Sequence, residues 1–522
     1  MDKQQFEFSV KIFNQLGESR LKSGRTLREE LCLGQEISFW DILAPYLVLY
    51  RFPLLFLKNN QNFTVKEWWK YYLRPFRGRV AQFMDSAIFY FCRNVKDCLR
   101  WPAGRQPVLF LAFTQTFYRD VLHPVTEFFI KKDSRQVVVL EHNRSLPDNF
   151  SPDSKIEFQS LCGHWGIEAN NLGKNLLERL KALQKSLLNK NQLMVLTQSV
   201  SGDFSKFALR QEFYWIFWRE LRRLIPMYAV AKHILEEHKP ALIVSADDAD
   251  QRHRIFSLLA RKKGIPALLV QQGLCHKDYP EWLFFSHTMV AAMGQASADD
   301  MISQGVPPEK IMVTGNPGFD QFSFIEPEAV AFLRKRLGVL DNEKMVLFAC
   351  QPYYVGVFNT PQIRSQMIEA IAQAAGSLKN IKLVVKPHPA DNVRQLKKLL
   401  DKSPQAVMVD RKMDISPLIK ACDVLVTFFS TAALQALYAG KPVINVEFPD
   451  SSGNNIYSES GATRVARSTG EIIKCLQDLI QYRVEDPGYE TNRQLFLRKM
   501  LHFPDGLASE RVLKVVAEML SS

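Results

Sequence analysis

The sequence predicts an α/β protein with two Rossmann-like domains, each built on its own parallel sheet, and a mainly helical N-terminal extension. Three observations carry this. Short apolar β runs alternate with helical stretches twice over, first from about residue 107 and again from about 343. The runs are apolar throughout, as strands covered on both faces of a parallel sheet require. At 522 residues the chain exceeds what one core supports.

In chain order, residues 1–105 form the helical extension, unusually rich in aromatic and basic residues. Its apolar run from Ile42 to Leu57 is broken by Pro45, Arg51 and Pro53 and is too short to span a bilayer. The Trp, Tyr, Lys and Arg cluster from Lys66 to Arg79 suits either packing against the next domain or peripheral contact with a membrane surface. The first Rossmann-like domain, 106–318, reads as strands in PVLFLAF, QVVVLEH, PALIVSADD, IPALLVQQG and HTMVAAMG, with long helices inserted over about 155–238. Gly315, Asn316, Pro317 and Gly318 supply turn chemistry where the domains should meet. The second domain, 319–490, repeats the pattern in KMVLFACQP, IKLVVKPHP, AVMVD, DVLVTFFS and KPVINVEF, and a C-terminal helix occupies 491–522. The two domains are expected to face each other across a cleft at the carboxyl ends of both sheets, where ligands of such folds bind.

The net charge is +13, and 17 Lys and Arg against 10 Asp and Glu fall in the first 105 residues. That excess favours an anionic partner. A nucleic-acid surface is set aside, because the charge is not focused on a reading motif. The eight cysteines show no CxxC pair or zinc-site spacing, the N-terminus lacks the features of a secretory signal, and a cytoplasmic location is expected.

Candidate chemistry sits where strands run into helices. In VVKPHPADN, Pro387 and Pro389 hold His388 in extended backbone, so the imidazole and Lys386 can meet a phosphate at the start of the next helix. In FFSTAALQALYAGKPVI, Ser430 and Thr431 place hydroxyls and free amides at a helix start; simple N-capping by Ser430 is compatible with this. Asp247 and Asp248 close a strand in the first domain. Each suits a general base toward a hydroxyl or a nucleophile, or a cap for the following helix. Asp248-Ala249-Asp250 matches a DxD metal motif over three residues only, so no metal or other cofactor is expected. Gln272, Gly273 and His276, with Gln351, Asn316 and Glu459, should border the cleft.

Together these segments resemble the GT-B glycosyltransferase superfamily of bacterial surface-polysaccharide (capsule and lipopolysaccharide) biosynthesis, over about 107–480. VTGNPGFD, VVKPHP and FFSTAALQALYAGKPVI have counterparts there, in the non-hydrolysing UDP-N-acetylglucosamine 2-epimerases and in the glycerophosphotransferases of teichoic acid synthesis. In the similar HP-motif sialyltransferases, the motif matched here by His388-Pro389 meets the donor phosphate, with the Ser430-Thr431 pair nearby. Their base lies in a motif matched by Asp247-Asp248, with Ala249 in place of glycine; the retaining Kdo transferases carry an aspartate nucleophile in the first domain. Where many members use a glutamate for the ribose, this chain has Gln435. The resemblance implies a metal-independent glycosyltransferase that moves a sugar from a nucleotide-sugar donor, such as a CMP-linked acidic sugar, to a surface glycan or lipid-linked acceptor at the inner face of the cytoplasmic membrane. The alternatives it carries are a 2-epimerase, which needs no 105-residue extension, and a polyol-phosphate transferase.

Overall fold

A computed structural model describes residues 3–56, 73, 106–133, 135–142, 155–188, 190–198, 200–201, 206–274, 279–353, 360–400, 403, 405–449, 456–481 and 487–521. The chain forms two compact units, the first of residues 1–292, 298–312 and 510–522 and the second of 293–297 and 313–509. Lys66–Arg79, the cluster suited either to packing against the next domain or to contact with a membrane surface, lies outside the described residues apart from Leu73. Among the described residues no helix is long and apolar enough to cross a membrane.

The first unit holds strands β1 (Val108–Leu111), β2 (Val137–Glu141), β3 (Ile156–Ser160), β4 (Leu242–Ser245), β5 (Ala267–Val270), β6 (Met289–Ala292) and β7 (Ile311–Val313), in the order β3-β2-β1-β4-β5-β6-β7. Pairing is parallel from β3 through β6. The sequence reading put long helices over 155–238, but the segment opens with β3. This strand lies at the sheet edge and keeps the polar Glu157 and Gln159, so its pattern lacks the apolar run that marks its neighbours.

The described part of the extension does not stand apart. Ile42, Leu43, Leu47, Val48 and Leu55 join one core with Leu109, Val138 and the buried face of the helix Leu221–His238. The Pro45 and Pro53 breaks divide the apolar run into a helix Phe39–Pro45, a π turn Tyr46–Arg51 and a short helix Pro53–Phe56. Arg51 is carried inward, where its Nε donates to Glu212 Oε2 at 3.0 Å. Trp40 is fully buried, stacks on Phe13 with centroids 5.0 Å apart, and donates Nε1–H to the Phe13 carbonyl at 3.3 Å.

The second unit holds β8 (Lys344–Ala349), β9 (Ile381–Lys386), β10 (Val407–Met408), β11 (Val424–Thr427), β12 (Val443–Val446) and β13 (Arg464–Ala466), in the order β10-β9-β8-β11-β12-β13 and parallel throughout. After β12 the segment carrying Glu459 contains the helix Ile456–Ser460 and runs into β13; these elements are too short to show a period in the sequence. The C-terminal 491–522 stretch contributes to two helices. Pro487–Leu501 belongs to the second unit, whereas Ala508–Ser521 buries Val512, Val515 and Val516 against β1, β2 and β4 of the first.

Because Trp40 is fully buried in the core that the extension shares with the first unit, Trp40→Ala is expected to cost about 3–5 kcal/mol. Urea unfolding followed by near-UV circular dichroism checks this, and Trp40→Phe, which keeps a ring on Phe13, should cost less than half as much.

Candidate functional site

In each unit the strand order reverses its direction of growth at one point, between β1 and β4 and between β8 and β11. At such a point the loops leaving two adjacent strands part to opposite faces and leave a crevice. Of the sequence-predicted residues, Asp247 and Asp248 follow β4, Gln351 follows β8, and Ser430 and Thr431 follow β11, whereas His388 follows β9, one strand away.

After β4 the neighbouring carboxylates Asp247 and Asp248 have opposite environments. Asp248 is turned inward: it accepts from the Ser286 amide at 2.9 Å, from the Ser286 hydroxyl, and from Arg254 Nη1 at 3.3 Å, with His287 Nδ1 3.6 Å away. Burial alone would raise its pKa, but His287, Arg254 and Ser286 hold it below the ordinary aspartate value. Arg254 also donates to the carbonyls of Asp41 and Phe284, so Asp248 is the centre of a clamp that fastens the loop before β6. Asp247 is half-buried. Its Oδ1 accepts from the amides of Ala249 at 2.8 Å and Asp250 at 3.1 Å, while Oδ2 accepts no hydrogen bond among the described residues. Burial and the adjacent Asp250 carboxylate push its pKa up to about 7. Asp250 caps the helix Gln251–Lys263 and is held by Arg252, at a pKa of about 2. Asp247 therefore has the proton affinity of a general base, and Asp248 has a structural post.

In the second unit, Gln351 follows β8 and Phe429-Ser430 follows β11. Gln351 Oε1 accepts from the Phe429 amide at 2.7 Å, bridging the two strand ends. Ser430 Oγ caps the helix Thr431–Tyr438 by accepting from the Ala432 amide, and the Ser430 carbonyl accepts from the buried Tyr457 hydroxyl at 2.8 Å. Gln435 lies half-buried on this helix. After β9, His388 is half-buried and Pro389 is exposed at the loop tip. The Ala390 amide donates to His388 Nδ1 at 3.1 Å, which places the proton of the neutral ring on Nε2. Burial lowers the ring's pKa below the usual histidine value. The loop is set by Asp391, whose Oδ2 accepts from the His388 amide at 2.8 Å and whose Oδ1 accepts from Arg364 Nη2 at 2.6 Å. β9 and β11 flank β8, so the two loops start about two strand spacings, roughly 10 Å, apart.

The remaining residues are placed differently. Lys386 is buried and its ammonium donates to the carbonyls of Pro387 and Arg411, so it holds the loop from inside. Asn316 is a buried cap, accepting from the Gly318 amide at 2.9 Å. Gln272 is exposed, the Gly273 carbonyl accepts from Gln271 Nε2, and Glu459 is exposed on the helix Ile456–Ser460. His276 lies outside the described residues. Among the described residues no three His, Cys, Asp or Glu side chains group as metal ligands. Arg364, Asp391 and Tyr457 were not anticipated as parts of the site. Arg364 had left a signal: it occupies the apolar stripe of Met367, Ile368, Ile371 and Ala375 on the helix Pro361–Gly376, where a charge requires a buried partner.

Two Rossmann-like units on one chain, with the last helix returning to the first, make this the GT-B fold. Residues 303–518 match the family model described as CDP-Glycerol:Poly(glycerophosphate) glycerophosphotransferase. Among solved structures, a candidate UDP-N-acetylglucosamine 2-epimerase from Listeria monocytogenes is similar at 14% identity and TM-score 0.51, covering 80% of this chain and 96% of its own. MnaA of S. aureus, solved with UDP, is similar at 14% identity and TM-score 0.50, covering 80% and 97%. A comparison with curated proteins finds no match. Fold and family match together support a transferase of the GT-B type.

The Asp247 environment gives a pH signature. The unfolded chain ionises this carboxyl near pH 3.9, whereas the folded protein keeps it protonated to about pH 7. The folded state binds more protons over that window, so this group's contribution to stability falls as pH rises through it. Asp247→Asn is thus expected to raise the melting temperature most at pH 8, less at pH 5, and to change it little near pH 3.5. Asp248→Asn, which weakens the clamp, should lower it at pH 8 and pH 5 alike.

Proposed function

We propose that this chain is a GT-B transferase that holds a cytidine-nucleotide donor in its second unit and passes the activated group to a surface glycan or lipid-linked acceptor. The observation that carries this reading is the pair of strand ends flanking β8: the His388 ring with its proton on Nε2, and the Ser430-Thr431 helix start. A phosphate there would meet an imidazole N–H, two hydroxyls and helix N-terminal amides, the donor set that suits an anion.

The group transferred is, in the first reading, a sugar such as an acidic sugar on CMP. The anomeric C–O bond breaks, the nucleotide leaves as its phosphate, and His388 stabilises the charge that grows on the departing oxygen. The acceptor hydroxyl forms the new bond and gives its proton to a base, a role that Asp247 suits because it ionises at about 7. The second reading, glycerol phosphate transfer, is favoured by the family match over residues 303–518. There a phosphorus–oxygen bond of the donor breaks instead, and CMP departs. Cytidine is common to both readings. The reaction uses no metal in this proposal, and the protein works at the inner face of the cytoplasmic membrane, where a lipid-linked acceptor would be found.

Thermal denaturation with CMP, CDP, UDP and GDP tests the donor class. A nucleotide at 100 times its Kd adds about 2.7 kcal/mol of stability. Stabilisation by the cytidine nucleotides, reduced in His388→Ala, is expected; no shift with any nucleotide would sink the proposal. Mass analysis of an acceptor incubated with CMP-sugar or CDP-glycerol then separates the two readings. Nucleotide affinity should also rise as pH falls from 7 to 5, because a bound phosphate favours the protonated ring that burial disfavours. In His388→Gln that part of the dependence should vanish.

A further inference from the structure

The geometry points to Arg364 as the positioning residue that makes one rigid site of the two anion-facing loops in the second unit. This inference deepens the proposed donor site and rests on it for the nature of the ligand.

Arg364 sits one turn into the helix Pro361–Gly376 with its side chain almost wholly inside the protein. Its guanidinium makes two bonds in different directions. Nε donates to the Gln351 carbonyl at 2.6 Å, and Nη2 donates to Asp391 Oδ1 at 2.6 Å. Each recipient carries the hold onward. Asp391 Oδ2 accepts from the His388 amide at 2.8 Å, fixing the histidine loop after β9. Gln351 Oε1 accepts from the Phe429 amide at 2.7 Å, fixing the strand end that leads to Ser430 and Thr431 after β11. One planar fork thus reaches the ends of β8, β9 and β11 through a single intermediary on each side. A lysine could not do this, since its compact ammonium lacks the rigid geometry that fits two divergent acceptors. Arg364 itself reaches neither hydroxyl nor imidazole, so its effect on a ligand passes through the loops.

The test reads the loops and the ligand separately, in the full chain. In Arg364→Lys, amide hydrogen exchange at both His388 and Phe429 is expected to speed up by tenfold or more, with β4 and β5 amides unchanged. Affinity for CMP should fall about tenfold. In Asp391→Asn, which leaves the Arg364–Gln351 bond, only His388 should lose protection. Faster exchange at His388 alone in Arg364→Lys, or wild-type CMP affinity beside faster exchange at both, overturns the inference. Should Arg364→Lys fail to fold, a double-mutant cycle replaces it: losses in CMP affinity from Asp391→Asn and Gln351→Ala that are coupled support one network, and additive losses overturn it. Absence of CMP binding in the wild type would strike the donor reading instead, while the exchange pattern still decides the role of Arg364.

Discussion

A parallel sheet hides its faces under helices, but the carboxyl ends of its strands stay polar, because each chain that leaves must turn before its amides find helical partners. Much of what is distinctive in this protein answers that constraint. Asp247 gathers the amides of Ala249 and Asp250, Asp391 that of His388, Ser430 that of Ala432, and Gln351 that of Phe429. The groups that secure these turns lie at the places where the strand order reverses or, for Asp391, one strand away. Fold maintenance and the proposed donor site therefore draw on the same short segments.

The contrast between Asp247 and Asp248 shows how finely this is divided. Successive residues after a strand point to opposite sides. One carboxylate enters a cage of Ser286, Arg254 and His287 and is held ionised; the other keeps one oxygen on local amides and, beside Asp250, resists ionisation. Their shared residue type conceals a difference in proton affinity that only the neighbours create.

Much of the fold was legible because the β runs were uniformly apolar and ended in turn or capping residues. Gly315 does adopt a left-handed φ of +87°, and Asn316 does cap the helix that follows. Elements without that signature escaped: β3 at a sheet edge, with its polar Glu157 and Gln159, and β13, three residues long. Among the candidate residues, the placing of His388 and Ser430 at strand ends could be read because their setting is local: prolines around one, a strand and a small-residue helix around the other. Arg364, Asp391 and Tyr457 could not be joined to them, since Tyr457 lies 27 positions from Ser430 and Asp391 lies 27 from Arg364. Lys386 misled for a related reason. Its position beside His388 suggested a phosphate, but the carbonyl of Arg411 took its ammonium.

The return of the helix Ala508–Ser521 to the first unit has a consequence for how the protein is made. Val512, Val515 and Val516 complete a core whose other members include Val108, Val137 and Leu242. On the ribosome those strands emerge long before the helix that covers them. Chains being synthesised tend to fold domain by domain from the N-terminus. Here the first unit must wait for the whole of the second to be translated before its last apolar surface is closed. A chain that lacks residues 510–522 would thus carry a first unit with an open flank, a natural point of entry for a chaperone.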